Sequence, residues 1–496
     1  MPDNAWLWLI LGGVVGLFVS GRWSLALAAW LAPVFLLQFM HAVPWWVGVF
    51  GIWGVTALAT GISHWRVVPV PWFAYPLVIA AITFPIVLPF LADRVLAVSV
   101  PGLAATLVFP AAWVAMEYIG ARLNPFGTWG ALAYTQTGNR TLLQLVALAG
   151  IWGVAFVVTW PAAIVRWMAD QGFAGPAVAA GVIIYALVLA AVLVYGRVRL
   201  GRSSSATRRV SVATVGWPEG ILEIDRILRA FEPNLADAER DELRAAFARV
   251  CDHFRARTAE AARAGARIVV WPEANIMVFR DDHDELLGRL QALAIEQRVY
   301  LLAGIALLDP AARRPFTNKA MLFDPEGRIV ASYTKATAVP GFETRYGVRG
   351  DGQLPQVETP YGRLTVAICY DLDFPWLLRQ AGRQRAELLL APASDWREIG
   401  ALHHASAVCR AVENGMPMVR ATRWGLSTVV DAEGRVLARQ DHFAGNDRLL
   451  VAEVPVTHRP TRYARSGDYW ALLCVAAVGV VAAWSLAVRL LGGGGP

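Results

Sequence analysis

The chain has 496 residues, of which 56% are hydrophobic and 21 are tryptophan, and its formal net charge is +7. This length gives room for two or three domains, and a mean hydropathy of +0.45 is too high for a single soluble globule. Lysine and arginine form no dense block with interleaved aromatic residues, so we expect no nucleic-acid partner. The four cysteines lie far apart and no histidine cluster completes a zinc set, so we expect neither a disulfide framework nor a zinc site.

Apolar segments occupy most of the first 200 residues and one stretch near the C-terminus. They approach the ~20 residues that cross the hydrocarbon core of a bilayer, so the chain is predicted to be an integral membrane protein. The predicted spans are Trp6–Ser20, Ser24–Met40, Trp45–Ser63, Trp72–Ala92, Val98–Ile119, Leu142–Met168, Pro176–Tyr195 and, after an extramembrane domain, Tyr469–Leu491. Glycines within Leu148–Gly153 predict a broken start to the sixth span.

Glu117 lies near the end of the fifth span, and the segment Asn124–Gln136 that follows is rich in glycine, proline and aromatic residues. A carboxylate near membrane depth is costly and often functional. Two interpretations stay open. Either Glu117 and the segment line a mouth that is accessible to lipid, or Glu117 reaches interfacial water and the segment is ordinary turn chemistry.

The topology follows from the number of spans and the loop charges. The N-terminal residues Met1–Asn4 contain no basic region and no cleavage site, so the first span is expected to be retained. Seven spans place the following domain on the side of the membrane opposite the N-terminus. The positive-inside rule, applied to the arginines of the loops, instead places this domain in the cytoplasm. Three explanations stay open: one span is miscounted, the charge bias of the loops is weak, or the domain is cytoplasmic.

Residues 208–465 have the composition of a soluble protein, and the linker Gly201–Arg209 separates them from the spans. Alternating strand and helix patterns predict α/β layers with both sheet faces covered. The predicted helices are Ala236–Ala264, His283–Gln297 and His403–Asn414. The predicted strands are Val210–Val215, Arg267–Trp271, Tyr300–Ile305, Lys319–Phe323, Arg328–Ser332, Leu364–Cys369, Leu388–Ala391, Met418–Ala421 and Ser427–Val430. We therefore divide the chain into a membrane domain (1–200), an α/β domain (208–465) and a C-terminal transmembrane helix (469–491).

Three residues of the α/β domain follow predicted strands and could act together. Cys369 ends the run Val366–Cys369 beside a helix start, where backbone N–H groups would lower the thiol pKa and bind an oxyanion. Taken alone, Cys369 could be a buried core cysteine, Glu273 an acid at a helix N-terminus and Lys335 a surface lysine. Together they supply a base, an ammonium and a nucleophile for acyl transfer through a thiol.

These residues carry a resemblance to a known family. Trp271–Glu273, Lys335 and Cys369–Asp371, with Arg410–Asn414 and Arg420–Gly425, resemble the motifs of the carbon–nitrogen hydrolase (nitrilase) superfamily over roughly Val210–Val454. The resemblance implies an α-β-β-α sandwich. It also implies that Glu273 is the general base, Lys335 stabilises the oxyanion and Cys369 is the nucleophile.

The arrangement of spans, nitrilase-like domain and final span resembles the apolipoprotein N-acyltransferase family. Glu343, in Pro340–Glu343, is similar to a second functional carboxylate of that family on a loop over the site. Tyr370 matches the residue that the family has after its nucleophile. Asp371 replaces the glutamate of the family, and Ser394–Trp396 takes the place of its Asn-Asp-Ala-Trp pattern. The supporting or substrate-binding residues implied in this way are Glu343, Tyr370, Asp371, Trp271, Asp395 and Trp396.

The implied reaction has two steps. Cys369 takes a fatty acyl chain from a phospholipid as a thioester, and the N-terminal amine of a diacylglyceryl-cysteine lipoprotein then receives it. The resemblance implies a monomer without metal or organic cofactor in a bacterial inner membrane, with its catalytic domain on the periplasmic side. One alternative is a membrane-tethered amidase or nitrilase that uses water as the acceptor. Another is a non-catalytic membrane scaffold, which the intact Glu273, Lys335 and Cys369 disfavour.

Overall fold

A computed structural model describes residues 4–202, 208–218, 229–231, 235–445 and 448–492. The chain divides into two compact units, one formed by Met1–Arg202 with Ser466–Pro496 and the other by Ser203–Arg465. Residues 203–207 of the predicted linker lie outside the described residues. The described α-helices are α1 (Ala5–Gly16), α2 (Ala26–Ala42), α3 (Trp45–Ser63), α4 (Tyr75–Thr83), α5 (Val87–Leu96), α6 (Val108–Leu123), α7 (Arg140–Leu143), α8 (Val146–Asp170), α9 (Pro176–Gly201), α10 (Asp237–Arg263), α11 (His283–Gln297), α12 (Phe342–Tyr346), α13 (Pro375–Arg383), α14 (Gly400–Asn414), α15 (Arg462–Ser466) and α16 (Tyr469–Gly492).

The first unit is a bundle of apolar helices. Within the described residues, six helical segments are long and apolar enough to cross a membrane: Trp45–Ser63, Tyr75–Ser99, Gly102–Leu123, Val146–Asp170, Val178–Gly201 and Tyr469–Leu490. The chain is therefore a membrane protein. The first two predicted spans are shorter helices, α1 with 12 residues and α2 with 17. At a rise of 1.5 Å per residue α1 is about 18 Å long, which is less than the thickness of a hydrocarbon core.

Two breaks in the bundle have local causes. The segment Tyr75–Ser99 changes to a 3₁₀ turn at Phe84–Ile86 because Pro85 has no N–H to donate to the preceding turn. In α8 the backbone of Gly150 is left-handed (φ +67°), which confirms the interruption predicted for Leu148–Gly153. Beyond this kink α8 packs against α2 and α6, and most of its length is buried inside the bundle.

The second unit contains two mixed β-sheets. The strands are β1 (Arg209–Val215), β2 (Ile268–Val270), β3 (Ile276–Phe279), β4 (Tyr300–Leu308), β5 (Phe316–Phe323), β6 (Ile329–Thr334), β7 (Gln356–Thr359), β8 (Gly362–Val366), β9 (Leu388–Ser394), β10 (Met418–Arg423), β11 (Leu426–Val430), β12 (Val436–Asp441) and β13 (Leu449–Pro455). One sheet has the order β13-β1-β2-β4-β5-β6 with β3 beside β4, and the other has the order β12-β11-β10-β9-β8-β7. Strands β1, β2 and β4 are mutually parallel neighbours, as are β8, β9 and β10.

The sheets face each other through β1, β2, β9 and β10, and each outer face carries helices. Helices α10 and α11 cover the first sheet, with Phe254 and Trp271 in the core between sheet and helix. Helix α14 covers the second sheet beside α13. This α-β-β-α sandwich, together with the helical membrane unit, confirms the predicted fold class.

Candidate active site

Functional side chains gather where the central parallel strands end. Glu273 follows β2, Cys369 follows β8, and Asp395 follows β9. The backbone N–H of Glu273 donates to the carbonyl of Ala393 on the opposite sheet at 3.3 Å, which ties the two strand ends together. Three residues of this region have a left-handed backbone without being glycine: Ala274 (φ +47°), Cys369 (φ +45°) and Trp424 (φ +56°). Such strain persists only where the surrounding structure enforces it, and it is typical of functional sites.

Lys335 lies between two carboxylates. Its Nζ is 2.7 Å from Glu273 Oε1, and it lies 3.0 and 2.9 Å from the two carboxylate oxygens of Glu343. Asn318 on β5 donates from Nδ2 to the same oxygen of Glu273 at 2.7 Å and to Glu343 Oε1 at 3.1 Å. Glu343 comes from α12, and its second oxygen accepts from the backbone N–H of Val339 at 2.8 Å. The structure thus brings Glu273, Lys335 and Glu343 into one hydrogen-bonded cluster.

The electrostatics keep Lys335 and Glu343 ionised. Burial would lower the pKa of Lys335, but the carboxylates of Glu273 and Glu343 outweigh burial and hold the pKa well above its usual value. Burial would raise the pKa of Glu343, but Lys335 and the hydrogen bond from Val339 lower it below its usual value. Lys335 is therefore an ammonium and Glu343 a carboxylate at neutral pH.

The Cys369 thiol donates to the carbonyl oxygen of Ser394 at 3.4 Å. Strand β8 ends at Val366, and Cys369 begins a short 3₁₀ helix, Cys369–Asp373. The expectation that a helix N-terminus lowers the thiol pKa is wrong, because burial and the charge of Glu273 raise this pKa well above its usual value. Lys335 lowers it less than these two effects raise it.

The charge balance explains how the thiol can still react. Two carboxylates, Glu273 and Glu343, and one ammonium, Lys335, give the cluster one net negative charge. A thiolate would make a second one in a buried environment, so Cys369 rests as a thiol. The thiol can lose its proton without adding charge only if the proton moves to a carboxylate of the cluster. This is the requirement for general-base activation of a nucleophile.

Three other predicted residues are buried next to the site. Asp371 is fully buried and accepts from Tyr333 Oη at 2.8 Å and from the backbone N–H of Thr337 at 2.9 Å, which holds the 3₁₀ helix against the end of β6. Tyr370 is buried, its ring lies 5.3 Å from the ring of Phe374, and burial raises its phenol pKa. Trp271 is fully buried and donates to Thr258 Oγ1 on α10 at 2.9 Å, so it faces the core and cannot touch a substrate.

Asp395 belongs to a buried charge cluster. Its Oδ1 accepts from His403 Nδ1 at 2.8 Å and from Arg420 Nη2 at 2.7 Å. Trp396 lies beside this cluster, with its ring 6.2 Å from the imidazole of His403. Sequence reasoning missed His403 as a site residue, and it missed Asn318 as the link between Glu273 and Glu343. The signal for Asn318 was a polar residue on the buried side of a strand, which β5 presents as Phe316-Thr-Asn318.

The pocket at the cluster is small. A cavity of about 10 Å³, room for roughly one water molecule, lies beside Lys335, Asn318 and Glu343. Cys369 is 8% exposed and Glu273 is 4% exposed. Within the described residues, no group of three or more histidine, cysteine, aspartate or glutamate side chains is arranged to hold a metal ion.

In the membrane unit, Glu117 is half-buried and hydrogen-bonded to two neighbours. Its Oε1 accepts from the indole N–H of Trp113 at 3.1 Å and from the backbone N–H of Leu132 at 2.9 Å. Its Oε2 is buried without a partner among the described residues. The side chain lines a largely apolar cavity of about 270 Å³ together with residues of the segment Asn124–Gln136. This cavity fits the interpretation of a mouth that is accessible to lipid, and both interpretations of Glu117 stay predictions.

Known proteins are similar to this chain in the α/β unit and, for some of them, in the membrane unit as well. The model of the carbon-nitrogen hydrolase family matches residues 242–463. An apolipoprotein N-acyltransferase of Geobacter metallireducens is 26% identical over 97% of this chain and 95% of its own length. Another, of Bradyrhizobium diazoefficiens, is 27% identical over 78% of this chain and 72% of its own length. A deaminated glutathione amidase of Mus musculus is 30% identical but aligns with 36% of this chain and 66% of its own length.

Proposed function

We propose that this chain, which belongs to the apolipoprotein N-acyltransferases within the carbon–nitrogen hydrolase superfamily, transfers a fatty acyl chain from a phospholipid to the N-terminal amine of a diacylglyceryl-cysteine lipoprotein. The observation that carries the proposal is the similarity to the Geobacter metallireducens relative over 97% of this chain, because it includes the membrane unit as well as the α/β unit. Lipid-anchored substrates fit an enzyme that is itself a membrane protein.

In the first step Cys369 attacks the ester carbonyl of the phospholipid. Glu273 takes the thiol proton as the new S–C bond forms, and Lys335 stabilises the negative charge that develops on the carbonyl oxygen. The tetrahedral intermediate then collapses, its C–O bond breaks, and Glu273 returns the proton to the lysophospholipid that leaves. The enzyme now carries the acyl chain as a thioester on Cys369. Glu343 and Asn318 support this step because they hold Lys335 and Glu273 in place.

In the second step the free amine of the lipoprotein attacks the thioester. Glu273 accepts a proton from the amine, the C–S bond breaks, and the proton passes to the sulfur, which restores the thiol. The product is an amide. Lys335 again stabilises the oxyanion, and the thiol is a good leaving group relative to an amine, so the intermediate collapses towards the amide.

A membrane-tethered amidase that uses water as the acceptor is the second candidate. The favourable observation is the match to the carbon-nitrogen hydrolase family over residues 242–463. The similarity to the mouse amidase, however, is confined to 36% of the chain. An amidase acting on a soluble amide needs one anchor, whereas this chain has six helical segments fit to cross a membrane among its described residues. The acyltransferase accounts for both units and the amidase for one.

The location and assembly form part of the same proposal. The enzyme is a monomer in the bacterial inner membrane, and its α/β unit lies on the periplasmic side, where lipoproteins that carry a diacylglyceryl-cysteine would meet it.

The test is mass spectrometry of the purified protein after incubation with phospholipid. The expected result is an acyl adduct on Cys369 that disappears when a diacylated lipopeptide is added, with an N-acylated lipopeptide as the product. The variant Cys369→Ala removes the nucleophile and should form no adduct while remaining folded. The matched control Cys251→Ala removes another buried cysteine, on α10, and should retain the adduct. Hydrolysis of a soluble amide, without an acyl adduct from phospholipid and without N-acylated lipopeptide, would favour the amidase instead.

A further inference from the structure

His403 on α14 lies between two carboxylates that come from different segments. Its Nδ1 is 2.8 Å from Asp395 Oδ1, and its Nε2 is 3.6 Å from Asp373 Oδ2. A neutral imidazole has one N–H and one acceptor nitrogen, and a carboxylate can only accept. The contact with Asp395 is a hydrogen bond and the contact with Asp373 is at ion-pair distance, so the two carboxylates favour the protonated imidazole from both sides. His403 is a buried cation that joins two buried anions.

Each of these carboxylates belongs to a segment that positions the nucleophile. Asp373 is the last residue of the 3₁₀ helix that begins at Cys369. Asp395 directly follows Ser394, whose carbonyl oxygen accepts the hydrogen bond from the Cys369 thiol. The protonated imidazole thus connects the turn that carries the sulfur with the strand end that orients it. Cys369 needs such a connection because its own backbone is left-handed (φ +45°).

The charges around His403 balance. Arg420 on β10 donates to Asp395 Oδ1 at 2.7 Å, and Ser406 Oγ on α14 donates to Asp373 Oδ1 at 3.1 Å. Two cations, His403 and Arg420, therefore face Asp395 and Asp373. Burial raises the pKa of Asp373 above its usual value, and His403 opposes this rise. Burial would lower the pKa of His403, but Asp395 and Asp373 outweigh it and raise the pKa above its usual value. Burial would raise the pKa of Asp395, but Arg420 and His403 lower it below its usual value.

We infer that protonated His403 is a positioning residue for the Cys369 nucleophile, acting through Asp373 on the nucleophile turn and through Asp395 on the Ser394 carbonyl. This inference rests on the proposed function, because it assigns the nucleophile to Cys369. The inference makes no assumption about the acyl acceptor. Loss of the cation has two consequences: the turn and the strand end are no longer linked, and Asp395, whose charge acts on the thiol, is less neutralised.

The experiment uses charge-balanced variants of the full chain. His403→Gln removes one cation and leaves two carboxylates against Arg420. The double variant His403→Gln/Asp373→Asn removes one charge of each sign and restores the balance. His404→Gln is the matched control on the same helix, since burial and Arg420 lower the pKa of His404 to about 4 and it is already neutral. For each variant the readouts are thermal stability, the rate of Cys369 alkylation by iodoacetamide, and the rate of thioester formation from phospholipid.

We expect His403→Gln to slow both reactions of Cys369 by about 100-fold, the loss that a displacement of about 1 Å at a reacting group can produce. The double variant should recover at least about 10-fold of this loss, and His404→Gln should stay near wild type. The wild-type rate of thioester formation should fall as the pH rises past the pKa of His403, which faces Asp395, Asp373 and Arg420. This alkaline fall should be absent from the double variant. The KM for the lipopeptide should not change, because His403 does not contact the acceptor.

The inference is overturned if His403→Gln alkylates Cys369 at the wild-type rate. It is also overturned if the double variant has wild-type thermal stability but reacts no faster than the single variant, since the role of the cation would then not be electrostatic. If His403→Gln does not fold, the folded double variant still decides the question through its pH profile. Iodoacetamide alkylation does not depend on the acyl acceptor, so it can support the inference even where wild type yields no N-acylated lipopeptide and the proposed function fails.

Discussion

Replacement of Lys335 by methionine tests the electrostatics of the candidate active site. In the wild-type protein the ammonium lies 2.7 Å from Glu273 and 2.9 Å from Glu343, and all three side chains are largely buried. Lys335→Met keeps the length of the side chain and removes its charge, so that two neighbouring carboxylates lose their cation. Removing one partner of a buried ion pair costs about 3–5 kcal/mol. For a unit of this size this corresponds to a decrease in Tm of about 10 °C at neutral pH.

The pH dependence of this loss distinguishes an electrostatic cause from a packing defect. Lys335 lowers the pKa of Glu343 in the folded state. That stabilisation is present above the unfolded pKa of about 4.3 and is lost as the pH falls through the folded value. In Lys335→Met the carboxylates repel each other without compensation. Protonation of one of them relieves the repulsion, so the variant should become more stable as the pH is lowered from 7 towards about 5.

The measurement is the Tm of wild type, Lys335→Met, Glu343→Gln and the double variant in detergent between pH 5 and 8. The double variant has one carboxylate fewer, so it should be more stable than Lys335→Met at pH 7, and the two should converge at pH 5. A Tm of Lys335→Met equal to that of wild type at pH 7 would refute the reasoning. A Tm of the variant that falls together with pH would refute it as well, because the repulsion between carboxylates would then not limit its stability.

Two further predictions concern the backbone beside Glu273 and the orientation in the membrane. A methyl group on Gly304 of β4 would lie 1.9 Å from the carbonyl oxygen of Pro272, so Gly304→Ala should displace the turn that carries Glu273 and lower thioester formation about 100-fold. Gly288→Ala on the exposed face of α11 meets no atom within 4 Å and should raise stability by up to about 1 kcal/mol with unchanged activity. For the orientation, a protease added to spheroplasts should cut the α/β unit without opening the membrane; cleavage only after lysis would place this unit in the cytoplasm, as the loop arginines indicate.

Local sequence patterns were sufficient to predict many of the helices and strands of the α/β unit. The helix predicted at His283–Gln297 is α11 with the same bounds, because acidic residues in its first turn and apolar residues at helical spacing mark it. Strands β3, β7, β12 and β13 were not predicted. Three of them, β7, β12 and β13, consist mostly of exposed or half-buried residues, unlike the fully buried central strands. Their position depends on pairing with strands far away in the sequence, such as β13 with β1.

The candidate site likewise has features that the sequence predicts and features that only the fold reveals. The strand-end positions of Glu273, Lys335 and Cys369 follow from the sequence, and their catalytic roles stay predictions. The thiol pKa was predicted in the wrong direction, since a helix N-terminus is visible in a sequence while burial and the charge of Glu273 are not. The contacts of Asn318 with Glu273 and Glu343 join residues from three separate segments, which no local pattern can reveal.

Apolar helices fit for a membrane and an α/β unit between them could be predicted from the residues alone, because hydrophobic periodicity and turn residues act over short distances. Which ionised side chains pair with one another depends on the packed fold. Lys335 between two carboxylates, and His403 between Asp373 and Asp395, are pairings across the fold, and their protonation depends on burial that exists only once both sheets and their helices have packed.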